Sequence, residues 1–403
     1  MGSGLNELAS VGIILLMALL AGHLVKIIRV PEVTGYILAG VLVGPSGFGW
    51  ITHQNLTVLD VFSEVALGLI LFSIGSVFEF SRLRESGRKI AGVTLVESTL
   101  ACFLVTTGLI IAGQPWQVSF LLGAIAIETA AASTLMVIRE CNSEGPLTDA
   151  LTGLIAMNNI LCLFAYLVVG SVIDLSSQPP ASFLLAVWGA VFPLLWQIVG
   201  GAALGYLIGL LLAAWASQVH EHGETLILLS GSVLLAVGVS TMLGLSPLVA
   251  SLAVGATMVN LSPRSRRLFG VLSRTDPPLY AIFFVIAGAD LNLALLPSLG
   301  ILGVIYAVGR AVGKFVGAGY TARRMGLEPV VQRLLGPSMM SQAGLAIGLV
   351  LITNERFPAI AATVTTVVLA AVTVFELVGP IGAKFALVRS GEARPSEEVA
   401  PVL

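Results

Sequence analysis

Apolar runs close to the thickness of a bilayer core recur thirteen times along this chain, and no other feature constrains its fold as tightly. They lie near 6–28, 33–50, 58–78, 90–113, 116–138, 147–172, 182–216, 223–241, 244–260, 271–289, 296–322, 329–353 and 359–388. About 20 helical residues cross the hydrocarbon layer, so each run is a candidate span. The second and ninth are short, and the seventh is long enough for a tilted helix or two joined ones. A crossing segment must satisfy its own backbone hydrogen bonds, which points to helices. Composition agrees, since 57 % of the residues are hydrophobic and 10 % charged, too apolar for a water-facing surface. The predicted fold class is an all-α polytopic membrane protein of 13 transmembrane helices. No nucleic-acid partner is expected, and membrane lipid is the expected surround.

The placement of charge tests the count. Lys26, Arg29, Arg82, Arg84, Arg88, Lys89, Arg139, Arg264, Arg266, Arg267, Arg274, Arg323, Arg324, Arg333, Lys384, Arg389 and Arg394 follow odd-numbered spans, 17 of the 20 basic residues. Arg356 alone follows an even-numbered span, while Arg310 and Lys314 lie inside span 11. The positive-inside bias then puts odd-span exits in the cytoplasm, the N-terminus outside and the C-terminus inside. The expected location is a prokaryotic inner membrane. No cleavable signal sequence is read at the start, because the first run is long enough to span and lacks a basic leader. Residues 389–403 are polar and read as a disordered cytoplasmic tail.

Thirteen spans divide as six, a connector and six, which gives the halves opposite orientation, as in inverted-repeat transporters. Matching positions in the halves carry polar, small-residue stretches: Glu128-Thr129-Ala130-Ala131-Ala132-Ser133-Thr134 in span 5, and Ser338-Met339-Met340-Ser341-Gln342-Ala343-Gly344 in span 12. Two readings stand: helices broken at these points, lining a cavity, or small-residue packing seams. Cys102, Cys141 and Cys162 show no metal-ligand spacing and read as small core residues. His220-Glu221-His222 lacks a third or fourth ligand and reads as loop, as do Asp290 and Asn292 at a helix end. No nucleophile elbow, phosphate loop or metal-ligand set appears. Neither an enzyme nor a cofactor is expected.

Several stretches then resemble one family. Val30-Pro31-Glu32-Val33-Thr34-Gly35-Tyr36-Ile37-Leu38-Ala39-Gly40, running on to Gly44-Pro45-Ser46-Gly47, is similar to the opening signature of the Kef/NapA branch of monovalent cation:proton antiporters. Leu67–Gly75, Thr134–Glu140, Phe283–Leu291, Gly309–Lys314 and Ser341–Gly348 follow in the family's order. The resemblance implies an NhaA-like fold with two broken, crossing helices and elevator-type alternating access. It implies a homodimer through a dimer domain (6–78 and 223–289), a linker helix (182–216) and a mobile core domain (90–172 and 296–388). It also implies an aspartate pair after the first broken helix, where this chain has Asn158-Asn159. An amide can offer its carbonyl oxygen to a cation but has no proton to release. Whether Asn158-Asn159 is native or replaces an acid pair stays open at this point.

An ionisable side chain at bilayer depth costs at least about 2.5–3.5 kcal/mol and needs a partner or a purpose. Glu97, Glu128, Arg310, Lys314 and Glu376 lie inside runs, and Glu64 lies nearer an end. Arg310 and Lys314 share a helix face, flanked by Gly309, Gly313 and Gly317, which would admit a neighbouring backbone. In relatives the residue matching Lys314 is commonly paired with the second aspartate, so here it must find another carboxylate. Glu128 reads either as a proton carrier or as a structural counter-ion to Lys314 or Arg310. Glu97 and Glu376 read as structural charge partners that pair with Arg310 or cap broken backbone. The leading expectation is a sodium- or potassium-proton antiporter with Glu128 as the titrating group. Thr129, Asn158, Asn159, Ser341 and Gln342 would be polar ligands beside Arg310 and Lys314. Transport of another solute without proton coupling, an anion included, and a transport-inactive sensor that kept the fold are the alternatives.

Overall fold

The computed structural model describes residues 6–75, 80–177, 192–193, 195–219, 221–262, 264–273, 277–291 and 300–394. Among them the regular structure is entirely helical. The helices are α1 (Glu7–Ile27), α2 (Glu32–Val43), α3 (His53–Gly75), α4 (Phe80–Ile111), α5 (Trp116–Ile125), α6 (Ala131–Glu140), α7 (Pro146–Ser177) and α8 (Gly201–Ala216), the last entered through a π-helical turn at Trp196–Gly200. There follow α9 (His222–Met242), α10 (Pro247–Leu261), α11 (Ser265–Ser273), α12 (Pro277–Ala289), α13 (Gly300–Arg324), α14 (Pro329–Ser338), α15 (Gly344–Arg356) and α16 (Pro358–Ser390).

Among the described residues, seven helical stretches are long and apolar enough to cross a membrane, and six further apolar helices are 10–17 residues long. The difference from the sequence expectation lies in these short helices. Run two was expected to continue to residue 50, but α2 stops at Val43, because Gly44-Pro45 cannot prolong it. At about 1.5 Å per residue its helical part is well short of a hydrocarbon layer. Run ten is divided between α11 and α12, which starts at Pro277. Runs five and twelve are each interrupted, at 126–130 and 339–343. Most of the first part of run seven and His220 lie outside the described residues.

Two sets of helices pack mainly among themselves. One comprises α4–α7 with α13–α16; the other comprises α1–α3 with α8–α12, and α2 and α3 touch α6 and α16 across the boundary. The closest association is α4 against α13, and its cause is visible in the sequence. Cβ atoms added at Gly313 and Gly317 would fall 2.4 and 2.6 Å from the Cα atoms of Ala101 and Glu97. Gly309 faces Val105 in the same row. A stripe of glycines at every fourth position thus meets a stripe of α4 at every fourth position, and only the missing side chains permit that approach.

Part of the expected disordered tail is ordered. Helix α16 continues to Ser390 and ends at Gly391, which adopts φ +79°, the left-handed conformation that suits glycine at a helix end. Glu392 then folds back onto α7, where its carboxylate accepts from the N–H groups of Leu147 at 2.7 Å and Thr148 at 2.9 Å. These are amino-terminal donors with no partner inside the helix. The nominal tail therefore begins as a cap for a distant helix, and residues 395–403 are outside the described part.

Candidate ion site at the two helix interruptions

Helices α5 and α14 stop, and α6 and α15 resume, within one buried region. The two interruptions touch directly: Ala130 N–H donates to the Ser341 carbonyl at 3.1 Å. An interrupted helix presents unsatisfied carbonyls at the end of its first half and unsatisfied N–H groups at the start of its second. The first end carries partial negative charge and the second partial positive charge. Both ends must be satisfied, because the residues at both interruptions are buried or partly so.

The carbonyl ends are held by the two bases of α13. Arg310, fully buried, donates through Nη1 to the Met340 carbonyl at 2.8 Å and through Nη2 to the carbonyls of Glu128 at 2.8 Å and Ser341 at 2.9 Å. Its guanidinium lies over the Phe375 ring, 4.4 Å from the centroid. Lys314, also fully buried, donates to the Ile127 carbonyl at 2.7 Å and Thr129 Oγ1 at 2.8 Å. Its ion-pair partner is Glu97 of α4, at 3.5 Å. The planar guanidinium suits three separate carbonyls, while the rotatable ammonium needs the single pairing that Glu97 supplies.

Two carboxyls lie toward the opposite, N–H-rich ends. Glu128 accepts from the Ala343 N–H, which opens α15, at 3.3 and 3.4 Å. Glu376 of α16 accepts from Ser133 Oγ, in the first turn of α6, at 3.4 Å. Acidic groups sit at positive helix ends and basic groups at negative ones, in both halves of the crossing.

The polar residues singled out from sequence divide between networked and free. Asn158 bridges α4 and the first interruption: Ser98 Oγ donates to its Oδ1 at 2.9 Å, and its Nδ2 donates to Thr129 Oγ1 at 3.0 Å. Gln342 donates through Nε2 to the Ile125 carbonyl at 3.1 Å and the Tyr306 hydroxyl at 2.7 Å. Asn159 Oδ1, Ser341 Oγ and Gln342 Oε1 are buried oxygens without a hydrogen-bond partner.

Three expectations are corrected. Glu97 pairs with Lys314, not Arg310. Arg310 forms no ion pair within 4.0 Å among the described residues, because backbone carbonyls take its donors. Glu128 is not the counter-ion of either base by that measure. Ser98, Ser133, Tyr306 and Phe375 belong to the site and went unnoticed as ligands. Their type carries little signal in an apolar helix, although Ser98 adjoins Glu97 and Ser133 lies in the first polar stretch. Arg356, the exception to the charge parity, pairs with Asp174.

Two interrupted helices that meet at buried charged groups within a bundle of apolar helices are the arrangement expected of an inverted-repeat membrane transporter. The family model described as sodium/hydrogen exchanger, transmembrane, matches residues 12–389, and the chain belongs to that family. It is 21 % identical over 344 residues to the ammonium/H(+) antiporter subunit AmhT of Alkalihalophilus pseudofirmus, covering 85 % of each chain. It is 30 % identical over 141 residues to the iron transporter MagA of Paramagnetospirillum magneticum, a match spanning 35 % of this chain and 31 % of that protein. Among solved structures, the sodium proton antiporter of Methanocaldococcus jannaschii aligns with a TM-score of 0.71 at 16 % identity, over 96 % of this chain and 98 % of that one. That likeness concerns the fold.

Proposed function

We propose that this chain exchanges a monovalent cation for protons, with Glu128 as the carboxyl that holds one or the other. The observation that carries the reading is the position of Glu128. It is buried where the two interruptions meet, and its carboxyl is bonded only through long contacts from Ala343, while both neighbouring bases donate to other groups. A carboxyl so placed is free to exchange its occupant, whereas Glu97 is committed to Lys314. The relatives named as a sodium proton antiporter and an ammonium/H(+) antiporter support cation:proton exchange. Either sodium or potassium fits an all-oxygen environment.

The finer reading is a Kef/NapA-type antiporter with thirteen spans, an inverted repeat and elevator-type motion. The six short apolar helices support the count, since with the seven long ones they match the thirteen runs. Separate packing of α4–α7 with α13–α16 supports a mobile core sliding against α1–α3 and α8–α12. The outward-facing apolar side chains of α1, such as Leu16, Leu19 and Ile27, support contact with lipid or a second copy in a homodimer. With Arg356 paired to Asp174, the remaining loop charges support an external N-terminus and a cytoplasmic C-terminus in a prokaryotic inner membrane. Against an anion substrate stands the engagement of Arg310 by three carbonyls and of Lys314 by Glu97, Thr129 and a carbonyl, which occupies most of the donors an anion would use.

The test is ion-driven proton movement in proteoliposomes, screened with sodium, potassium, lithium and ammonium. Wild-type protein is expected to move protons against at least one cation gradient, and Glu128→Gln to abolish this while remaining folded. Adding Asn159→Asp to that variant is expected to recover some exchange. Wild-type rate and pH profile in Glu128→Gln would make Glu128 structural.

A further inference from the structure

Glu376 is the buried carboxyl that neither the ion pairs nor the exchange reading employs. It is 4 % exposed, and its side chain has one long hydrogen bond, from Ser133. Four residues later comes Pro380, inside α16. Proline has no N–H, so the Glu376 carbonyl loses its helical donor as well. Both acceptor groups of one residue are left under-supplied at the same place.

A second orphan lies beside it. Ser341 Oγ is fully buried and has no partner. It stands against Gly379, where an added Cβ would be 2.3 Å from it, so only glycine leaves room for this hydroxyl next to the turn that carries Glu376. The Glu128 carboxylate reaches the same interruption, where it accepts from the N–H of Ala343, two residues beyond Ser341. The buried charged groups of the crossing are Glu97, Glu128, Glu376, Arg310 and Lys314, three acids to two bases. With all five ionised, one negative charge remains unbalanced, and an uncompensated buried charge is strongly destabilising.

The geometry points to a cation position between the starts of α6 and α15, formed by the carboxylates of Glu376 and Glu128 with the hydroxyls of Ser133 and Ser341. Its occupant is a dehydrated monovalent cation. The unwound carbonyls that would otherwise strip such an ion of water are taken by Arg310 and Lys314. These four side chains offer oxygens that neither base occupies. All are hard donors, suited to an alkali cation and not to a soft transition metal. One bound positive charge balances the surplus acid. The position rests on the antiport reading for its reason to bind a cation, but binding can be measured apart from transport.

The experiment is thermal unfolding of the purified chain in sodium, potassium, lithium or ammonium chloride, against choline chloride at equal ionic strength. Wild-type protein is expected to be stabilised by at least one small cation over choline. In Glu376→Gln the half-saturating concentration should rise by more than about tenfold, as for loss of a metal-site group. Ser341→Ala, which alters no charge, should weaken the same response and serves if the glutamine variant does not fold. A wild-type response in both variants, or no cation response in the wild type, overturns the position. Cation-dependent stabilisation that needs Glu376, without any cation-driven proton flux, supports the position and overturns the antiport reading alone. Flux accompanied by undiminished binding in Glu376→Gln does the reverse.

Discussion

Arg310 binds Glu128 through the glutamate's backbone carbonyl, at 2.8 Å, and makes no ion pair with its carboxylate. The arginine thereby ties the two interruptions together, since its other acceptors, Met340 and Ser341, belong to the second one. The architecture of the crossing depends on a side chain whose partners are all main chain.

Arg310→Lys is therefore expected to behave as a damaging change despite keeping the charge. An ammonium cannot serve three carbonyls set by a planar fork. Each carbonyl left without a donor costs about 1–3 kcal/mol. Unfolding in detergent should show a loss of at least that size, with Arg310→Met losing more.

The Glu97–Lys314 pair makes a different forecast. Removing either partner strands a buried charge, at a cost of about 3–5 kcal/mol, whereas replacing both with apolar residues costs far less. Glu97→Leu and Lys314→Met should each lower the unfolding midpoint, and the double variant should recover much of the loss. A strictly additive double variant would mean that the pair is energetically uncoupled.

Gly313→Ala tests the seam between α4 and α13. The new methyl would fall 2.4 Å from the Ala101 Cα, and backbone cannot step aside as a flexible side chain can. Destabilisation of about 1–3 kcal/mol is expected from such overpacking. Gly238→Ala, with nothing within 4 Å of the added atom, is the control and should be neutral or slightly stabilising.

Glu140 and Lys384 supply a prediction about motion. Glu140, at the end of α6, accepts from the Glu32 N–H at 2.7 Å and from Lys384 at 2.7 Å, and Lys384 also reaches the Val30 carbonyl at 3.2 Å. These bonds fasten α6 and α16 to the start of α2, at the end of span 5 that the charge parity assigns to the cytoplasm. Glu140→Gln combined with Lys384→Ala should raise labelling of a cysteine placed at Ser133 by a reagent supplied from the cytoplasmic side. Unchanged labelling would show that the fastening does not control access.

Much of this was legible in the chain because bilayers impose simple rules. Apolar runs located the helices, and polar stretches around Thr129 and Ser341 located both interruptions. The glycine stripe on α13 foretold a close neighbour. What could not be read was partnership. Glu97 and Lys314 are 217 positions apart, and no local pattern distinguishes that pairing from Glu128 with Lys314. Arg310's partners are carbonyls, which every residue possesses and no sequence advertises. The end of α2 was misjudged for another reason. Hydropathy does not separate a helix from an apolar turn, and Gly44-Pro45 was read as part of a span.

Glu392 has a consequence for how the molecule comes into being. The N–H groups it satisfies belong to Leu147 and Thr148, made some 245 positions earlier, on the helix that carries Asn158 and Asn159. During synthesis that helix enters the membrane with its first turn unfinished, and it stays so until almost all the rest of the described chain has been made. Its completion is thus a late step of biogenesis, and a quality-control system that sampled this turn would learn whether α16 had arrived.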